Sequence, residues 1–194
     1  MAEKLPYPVE LVQSWTLRDG TRIVIRPIRP EDRQIEKDFV RNLSDESRYF
    51  RFFNALRDLS ETALTRFTQV DYDREMALIV VISENGRETE IGVARYAINP
   101  DGRSCEFAIA VADAWQRKGI GSKLMCSLMD AARSRGLETM EGWVLSGNTT
   151  MLALMDGLGF TIDASAGDPS LRHVAKKLAT RDISAGTTAN RETT

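Results

Sequence analysis

The stretch that decides the fold reads Ala108-Ile-Ala-Val-Ala-Asp-Ala-Trp-Gln-Arg-Lys-Gly-Ile-Gly-Ser-Lys-Leu124. It runs from an apolar strand, predicted over Cys105–Val111, into an amphipathic helix, predicted over Gly119–Arg135. Gly119 and Gly121 remove side chains where the backbone must approach a ligand closely. The first amides of a helix lack intrahelical acceptors and lie at the positive end of its dipole. This turn therefore predicts a site for a phosphate-bearing cofactor.

The elements on both sides of this stretch alternate between strand and helix patterns. Upstream, a hairpin turns at Asp19-Gly20, helices are predicted over 31–43, 44–54 and 61–69, and strands over Met76–Ser83 and Glu90–Ile98. Downstream, the pattern predicts a strand over Thr139–Leu145, a helix over Thr149–Leu158, and strands over Gly159–Ile162 and Leu171–Leu178. This order predicts an α/β chain with one mixed sheet, antiparallel at first and with a parallel crossover through the 119–135 helix.

One domain suits a chain of 194 residues that shows no repeat and no linker. Residues 1–10 carry two prolines and are predicted to form an irregular arm. Residues 11–178 form the predicted domain. Residues 179–194 are rich in Thr, Ser, Ala, Gly and Asn, and are predicted to be a disordered tail.

Composition excludes several classes of protein. A net charge of −2 argues against nucleic acid as the main partner, because phosphate binding needs a basic surplus. No apolar run approaches the roughly 20 residues of a membrane span, and the first residues lack the apolar core of a signal peptide. We therefore expect a cytoplasmic protein without a membrane partner. Cys105, Cys126 and the single His173 show no metal-like spacing, so no metal site is predicted. The oligomeric state stays open.

Two better-known phosphate loops do not match. A Walker loop needs Gly-x-x-x-x-Gly-Lys-Ser/Thr, which is absent from the sequence. A dinucleotide fingerprint needs a third glycine three residues after Gly121, and this position is Leu124.

The pattern Gln116-x-x-Gly119-x-Gly121 instead resembles the pyrophosphate loop of the GNAT acetyltransferases. A second match, Asn148-x-x-Met-x-x-x-Met155-x-x-x-Gly159-Phe160, resembles the family's second motif, in which an Asn opens a helix near the arm of coenzyme A. Three further segments resemble the acetyltransferase domain of bacterial protein-lysine acetyltransferases, so that the likeness covers about residues 7–178: Trp15–Asp32, Leu43–Phe53 and Asp71–Met76. Those enzymes commonly fuse this domain to an acyl-CoA-synthetase-like domain.

The resemblance implies a GNAT fold, with a mostly antiparallel sheet, a splayed parallel pair of strands, and acetyl-CoA as the acyl donor. It implies that the backbone of Ile109–Val111 binds the pantetheine and that the amides of Arg117–Ser122 bind the pyrophosphate. For the side chains of Arg117 and Lys118, solvated charge is an equally good interpretation. The candidate cofactor-binding residues are Ile109, Ala110, Val111, Gln116, Arg117, Lys118, Gly119, Ile120, Gly121, Ser122 and Asn148.

Glu106 is the candidate general base. An amine acceptor is protonated at neutral pH, so a base must remove a proton before the amine can attack. Glu106 lies in an apolar strand, where an unpaired carboxylate is costly, and shares a face with Ala108 and Ala110, which leave room for a substrate. Its position also matches the catalytic Glu of the protein-lysine acetyltransferases. The alternative is a salt-bridged Glu on a partly exposed face.

Three other positions bear on mechanism. Many family members carry a Tyr where this sequence has Met155, which we interpret as a core residue, so the proton source for the coenzyme A thiolate stays open. Cys105 is expected on the opposite face of the strand from Glu106. Asp71, Tyr72 and Asp73 could attract a lysine ammonium, or could form a solvated capping loop.

Three functions remain. The first is acetylation of a protein lysine, with an acyl-CoA synthetase as the partner that the resemblance implies. The second is acetylation of a small-molecule amine, such as an amino acid or polyamine. The third is a coenzyme A-binding module without turnover. Fold and donor site do not specify the acceptor.

Overall fold

The computed structural model describes residues 5–53, 58–165 and 167–178. Within the predicted arm, Val9–Leu11 forms a short 3-10 turn. The predicted tail, 179–194, lies outside the described residues, as do residues 1–4.

The predicted elements are present, with ends that shift by a few residues. The strands are β1 (Gln13–Thr16), β2 (Arg22–Pro27), β3 (Glu75–Glu84), β4 (Arg87–Ile98), β5 (Ser104–Val111), β6 (Thr139–Leu145), β7 (Thr161–Ala164) and β8 (Leu171–Lys177). The helices are α1 (Arg33–Asn42), α2 (Asp45–Phe52), α3 (Glu61–Thr68), α4 (Ile120–Ser134) and α5 (Thr149–Gly157). The short strand expected from Gly159 starts at Thr161, because Gly159 has a φ of 76° and its amide still bonds to Asp156 in the last turn of α5.

The sheet has eight strands in the order β1-β2-β3-β4-β5-β6-β8-β7. Every neighbouring pair is antiparallel except β5 and β6, which are parallel and connected through α4. This arrangement confirms the predicted mixed sheet with its parallel crossover.

The parallel pair opens partway along its length. Strands β5 and β6 pair only over Ser104–Glu106 and Thr139–Glu141. Just beyond, the ring of Phe107 packs beside Gly142, where an added Cβ would lie 2.9 Å from Phe107 Cε1. The strands therefore diverge from this point, and the second half of β5 has no partner from β6. This gap is the predicted splay.

The two faces of the sheet carry different helices. Arg95 of β4 reaches Glu36 of α1 and the ring of Phe67 in α3, so these helices cover one face. Helix α4 packs on the other face against β3, β4 and β5, and buries Leu124 and Leu128 completely. Because side chains alternate along a strand, the register with β4 puts Glu106, Ala108 and Ala110 on the face of Arg95.

Candidate active site

One cavity, of about 330 Å³, lies where the unpaired end of β5 meets the start of α4. Helix α2 and the first turn of α5 complete its walls. The predicted cofactor residues that line it are Ile109, Ala110, Val111, Gln116, Arg117, Gly119, Gly121, Ser122 and Asn148. We call it the donor cavity.

The start of α4 differs from the starts of the neighbouring helices. Ser44, Ser60 and Asn148 each accept an amide hydrogen bond and cap α2, α3 and α5. Helix α4 begins after Gly119, at a φ of 82°, with no side-chain cap and no acidic residue in its first turn. Its first amides therefore lack acceptors among the described residues at the wall of the donor cavity. Such a terminus suits an anion from outside the chain, and a pyrophosphate fits it.

Close packing explains the glycine at position 121. A Cβ added at Gly121 would lie 3.2 Å from Leu154 Cδ2 of α5. The preceding turn also needs unusual backbone, since Arg117 has a φ of 58°. Left-handed residues next to a helix start turn successive amides toward one point, which is the geometry of an anion nest.

Helix α2 is fastened to the loop after β5 by one carboxylate. Asp113 accepts hydrogen bonds from Ser44 N at 2.9 Å, from Ser44 Oγ at 2.7 Å and from Ser47 Oγ at 2.7 Å. Burial raises the pKa of Asp113, but these hydrogen bonds outweigh burial and the net pKa is lowered. Gln116 Nε2 donates to Val111 O at 3.1 Å and bridges to Ser47 Oγ at 3.4 Å. Gln116 therefore braces the cavity wall.

Two of the predicted cofactor residues have side chains elsewhere. Lys118 Nζ lies 3.1 Å from Asp19 Oδ2 and 4.8 Å from the centre of the Trp115 ring, so its charge pairs with the hairpin turn. Ile120 is 1% exposed and belongs to the core. In this structure neither side chain lines the donor cavity.

Asn148 both caps a helix and faces the donor cavity. Its Oδ1 accepts from Met151 N at 3.1 Å, while its Nδ2 makes no hydrogen bond within the described part of the chain. The amide nitrogen is therefore free to donate to a ligand. Met155, on the same helix, is fully buried, as its interpretation as a core residue requires.

A second cavity, of about 370 Å³, lies on the face that carries Glu106. Glu106, Ala108, Glu75 and Arg66 line it, and Arg51 of α2 lines both this cavity and the donor cavity. We call it the acceptor cavity. The shared arginine places both cavities beside α2, on either side of one side chain.

The surroundings of Glu106 differ from the expectation. Its carboxylate is exposed, although its neighbours in β5 are apolar, because it occupies the last paired position before β5 and β6 diverge. Among the described residues it makes no hydrogen bond and no ion pair. Cys105 points the other way, as expected, and burial raises the pKa of its thiol to about 12. A thiol with that pKa is a poor nucleophile at neutral pH.

The sequence reasoning missed a carboxylate–imidazole pair beside Glu106. Glu141 stands opposite Glu106 in the parallel register, accepts from Asn99 Nδ2 at 2.8 Å, and lies 3.1 Å from His173 Nε2. The His173 ring packs 4.9 Å from the ring of Trp143. The only sequence signal was a lone Glu between the apolar residues of β6. Arg51 and Glu75 of the acceptor cavity were missed as well, because their elements meet only in the folded chain.

The acidic segment 71–73 lies outside both cavities. Asp71 Oδ1 accepts the amides of Asp73, Arg74 and Glu75, which is the capping role of the alternative interpretation. Tyr72 is 3% exposed and donates to Ile28 O at 2.6 Å. The structure therefore does not bring these three candidate substrate residues to the site.

Within the residues that the structure describes, no His, Cys, Asp and Glu side chains gather in a group of three or more that could hold a metal ion. In the same part of the chain, no helix has both the length and the apolar character needed to cross a bilayer.

Fold and site together define an acetyltransferase, and comparison with known proteins agrees. Residues 37–160 match the family model described as acetyltransferase (GNAT) family. The chain belongs to the GNAT acetyltransferase family, and is an acetyl-CoA-dependent acyltransferase. This confirms the resemblance noted in the sequence.

Individual relatives refine the comparison. An acetyltransferase of Pseudomonas aeruginosa is 36% identical over 145 residues, which are 75% of this chain and 78% of that protein. Acetyltransferase Pat of Mycolicibacterium smegmatis is 30% identical over 155 residues, 79% of this chain but 44% of that protein. The crystal structure of the GNAT domain of S. lividans PAT superposes with a TM-score of 0.81 at 29% identity, covering 89% of this chain and 100% of that domain.

Proposed function

We propose that this protein transfers the acetyl group of acetyl-CoA to the side-chain amine of a protein lysine, with Glu106 as general base. The observation that carries the proposal is the free carboxylate of Glu106 in a cavity that meets the donor cavity at Arg51. A carboxylate with no partner among the described residues is available to accept a proton from the acceptor amine.

The donor is held by backbone more than by side chains. The edge of β5 at Ile109–Val111 has no strand partner on the β6 side, so its free peptide groups can bind the amides of pantetheine. The uncapped start of α4 binds the pyrophosphate, and Asn148 Nδ2 donates to the same arm. This arrangement directs the thioester toward the point where β5 and β6 diverge.

The reaction is direct transfer. The acceptor ammonium loses one proton to Glu106, directly or through water, and the nitrogen lone pair then attacks the thioester carbonyl. The N–C bond forms, the C–S bond breaks, and the sulfur leaves as a thiolate. The nitrogen sheds its second proton. One proton ends on the sulfur, giving free coenzyme A, and the other passes to solvent. Holding the two reactants together accelerates the reaction mainly by positioning them, and the general base accelerates it further.

The protein-lysine acceptor is supported by the relatives. Acetyltransferase Pat of M. smegmatis and the GNAT domain of S. lividans PAT resemble this chain over most of its length. The chain covers 44% of the former protein, so the activity of that whole protein is a hypothesis for this one. An acyl-CoA synthetase is the protein substrate that we propose to test first.

Glu106→Gln tests the proposal. Gln keeps the shape of Glu but cannot accept the proton, so turnover should fall about 10²- to 10⁴-fold while acetyl-CoA affinity stays nearly constant. The defect should shrink as pH rises, since more of the amine is then already neutral. Glu138→Gln is the matched control, because Glu138 is an exposed carboxylate that pairs with Arg103, away from both cavities.

The assay measures coenzyme A release across pH 6–9 and identifies products by mass spectrometry. If the Glu106→Gln variant turned over at the wild-type rate at every pH, Glu106 would have a structural role and would not be the general base. If only free amines were acetylated, the chain would still be an acetyltransferase, but the proposal of a protein-lysine acceptor would be wrong. If no amine accelerated the release of coenzyme A, the remaining interpretation would be a coenzyme A-binding module without turnover.

A further inference from the structure

The acceptor cavity holds side chains of both charges that do not neutralise each other. Arg51, Arg66, Glu75 and Glu106 all line it. Within the described residues, none of the four side chains makes an ion pair or a hydrogen bond. Arg66 and Glu106 are exposed, while Arg51 and Glu75 are half-buried. Charged groups of both signs that line one cavity without pairing are available to a charged ligand.

Arg51 is the most informative of these side chains. Burial, together with the nearby charge of Arg95, lowers the pKa of Arg51 to about 10, and the more favourable field of Glu36 does not offset this. Among the described residues, the ring of Phe52 lies 4.8 Å from its guanidinium carbon. No carboxylate among the described residues pairs with Arg51, and an anion in the cavity would supply a counter-ion.

Arg95, by contrast, is already occupied. It lies 3.4 Å from Glu36 Oε1, donates to Phe67 O at 3.4 Å, and stacks 4.3 Å over the Phe67 ring. It forms part of the cavity wall, whereas the Arg51 guanidinium makes no ion pair or hydrogen bond in the described part of the chain.

The position of Arg51 indicates where an anionic group of the acceptor would bind. Arg51 lines both cavities, so it stands where the acceptor amine must reach the acetyl group. Glu75 and Glu106 offer the amine its counter-charge in the same cavity. An acceptor that satisfies both signs carries a carboxylate close to its reacting amine.

We infer that the acceptor presents a carboxylate beside the amine that is acetylated, and that Arg51 binds this carboxylate. The inference rests on the proposed function and specifies its substrate. Two sources share this chemistry: an acidic residue flanking a lysine in a protein, and the α-carboxylate of a free amino acid. A polyamine fits poorly, since it would place a second cation against Arg51.

The experiment compares matched acceptors with the full chain and acetyl-CoA. In the peptide arm, a lysine flanked by Glu is compared with the same peptide carrying Gln. In the small-molecule arm, L-lysine is compared with cadaverine, its decarboxylated form. A hydrogen bond to a charged group predicts that the carboxylate raises kcat/KM about 10- to 100-fold in the arm that represents the true acceptor.

Variants separate the role of Arg51 from general damage. Arg51→Gln should abolish the preference for the carboxylate, mainly through KM, and leave acetyl-CoA affinity unchanged. Arg51→Lys should keep part of the preference, because the positive charge remains. Arg103→Gln, which removes an exposed arginine that pairs with Glu138, should leave the preference intact.

The outcomes are distinct. Equal kcat/KM for acidic and neutral acceptors in both arms would overturn the inference and leave the proposed acetyltransferase standing. A preference that survives in Arg51→Gln, with weaker acetyl-CoA binding, would assign Arg51 to the donor and also overturn it. If no amine of either arm were acetylated, the proposed function itself would fail.

Discussion

Gly121→Glu is the sharpest perturbation of the donor site. The side chain would enter at the first turn of α4, where the amides have no cap and where Leu154 Cδ2 already lies 3.2 Å from the position of a Cβ. A carboxylate in the first turn of a helix stabilises the helix by about 0.3–1 kcal/mol. The variant should therefore fold, and should lose the anion site through repulsion.

The expected size follows from Coulomb's law. Two unit charges about 5 Å apart repel by about 3 kcal/mol at an effective dielectric constant of about 20. Each factor of ten in affinity corresponds to about 1.4 kcal/mol, so the acetyl-CoA affinity should fall by at least about 100-fold. Gly121→Ala is the matched control. It adds the Cβ that Leu154 must accommodate by a few tenths of an ångström, but no charge, and should cost less than about 1.5 kcal/mol of stability.

Isothermal titration calorimetry with acetyl-CoA measures both variants, and circular dichroism reports whether each remains folded. If the Glu variant bound acetyl-CoA as tightly as the Ala variant, the start of α4 would not be the pyrophosphate site, and the assignment of the donor cavity would be wrong.

Two further predictions concern stability. Burial and the neighbouring Glu36 raise the pKa of Glu90 well above its ordinary value. The raised pKa stabilises the folded protein at a pH below the ordinary carboxyl pKa. This stabilisation is lost as the pH rises through the pKa of Glu90 in the folded state. Glu90→Gln should therefore change the melting temperature little at pH 5 and raise it at pH 9; equal shifts at both values would contradict a raised pKa. At the splay, Gly142→Ala should lower the free energy of unfolding by about 1–3 kcal/mol, because its Cβ would lie 2.9 Å from Phe107 Cε1. Urea unfolding measures this loss, and a stability equal to that of the original protein would show that the Phe107 ring moves aside freely.

Most of the fold was predictable because its signals are local. Alternation and helical spacing depend on neighbours in the sequence, and they located the strands and helices around the glycine loop to within a few residues. Exceptions arose where a glycine conformation set the boundary, as at Gly159, whose positive φ delays β7 to Thr161. The predicted cytoplasmic location, like the predicted tail, stays a prediction.

The donor site was predictable for a related reason. Its proposed binding groups are backbone amides, and Gly119 and Gly121 mark in the sequence where backbone must be accessible. The side chains beside them were less predictable, because what each one contacts depends on distant elements. Lys118 pairs with Asp19 of the hairpin, about a hundred residues earlier in the chain.

The acceptor site was decided by tertiary structure. Glu106 is recognisable in the sequence as a charged residue in an apolar strand, which suggests a buried carboxylate. The structure shows it exposed, because β5 and β6 diverge beside it. Asp71 and Asp73 looked equally available to an ammonium, yet Asp71 is occupied in capping its own loop.

The sequence by itself determined the order of elements, the position of the glycine turn before α4 and the membership in the GNAT family, since each depends on residues close together in the chain. Only the tertiary structure decided which charges share the acceptor cavity. Arg51, Glu75 and Glu106 come from α2, β3 and β5, and no sequence spacing relates them. Long-range packing alone brings them together, and it leaves Arg51 between the two cavities without an ion pair among the described residues.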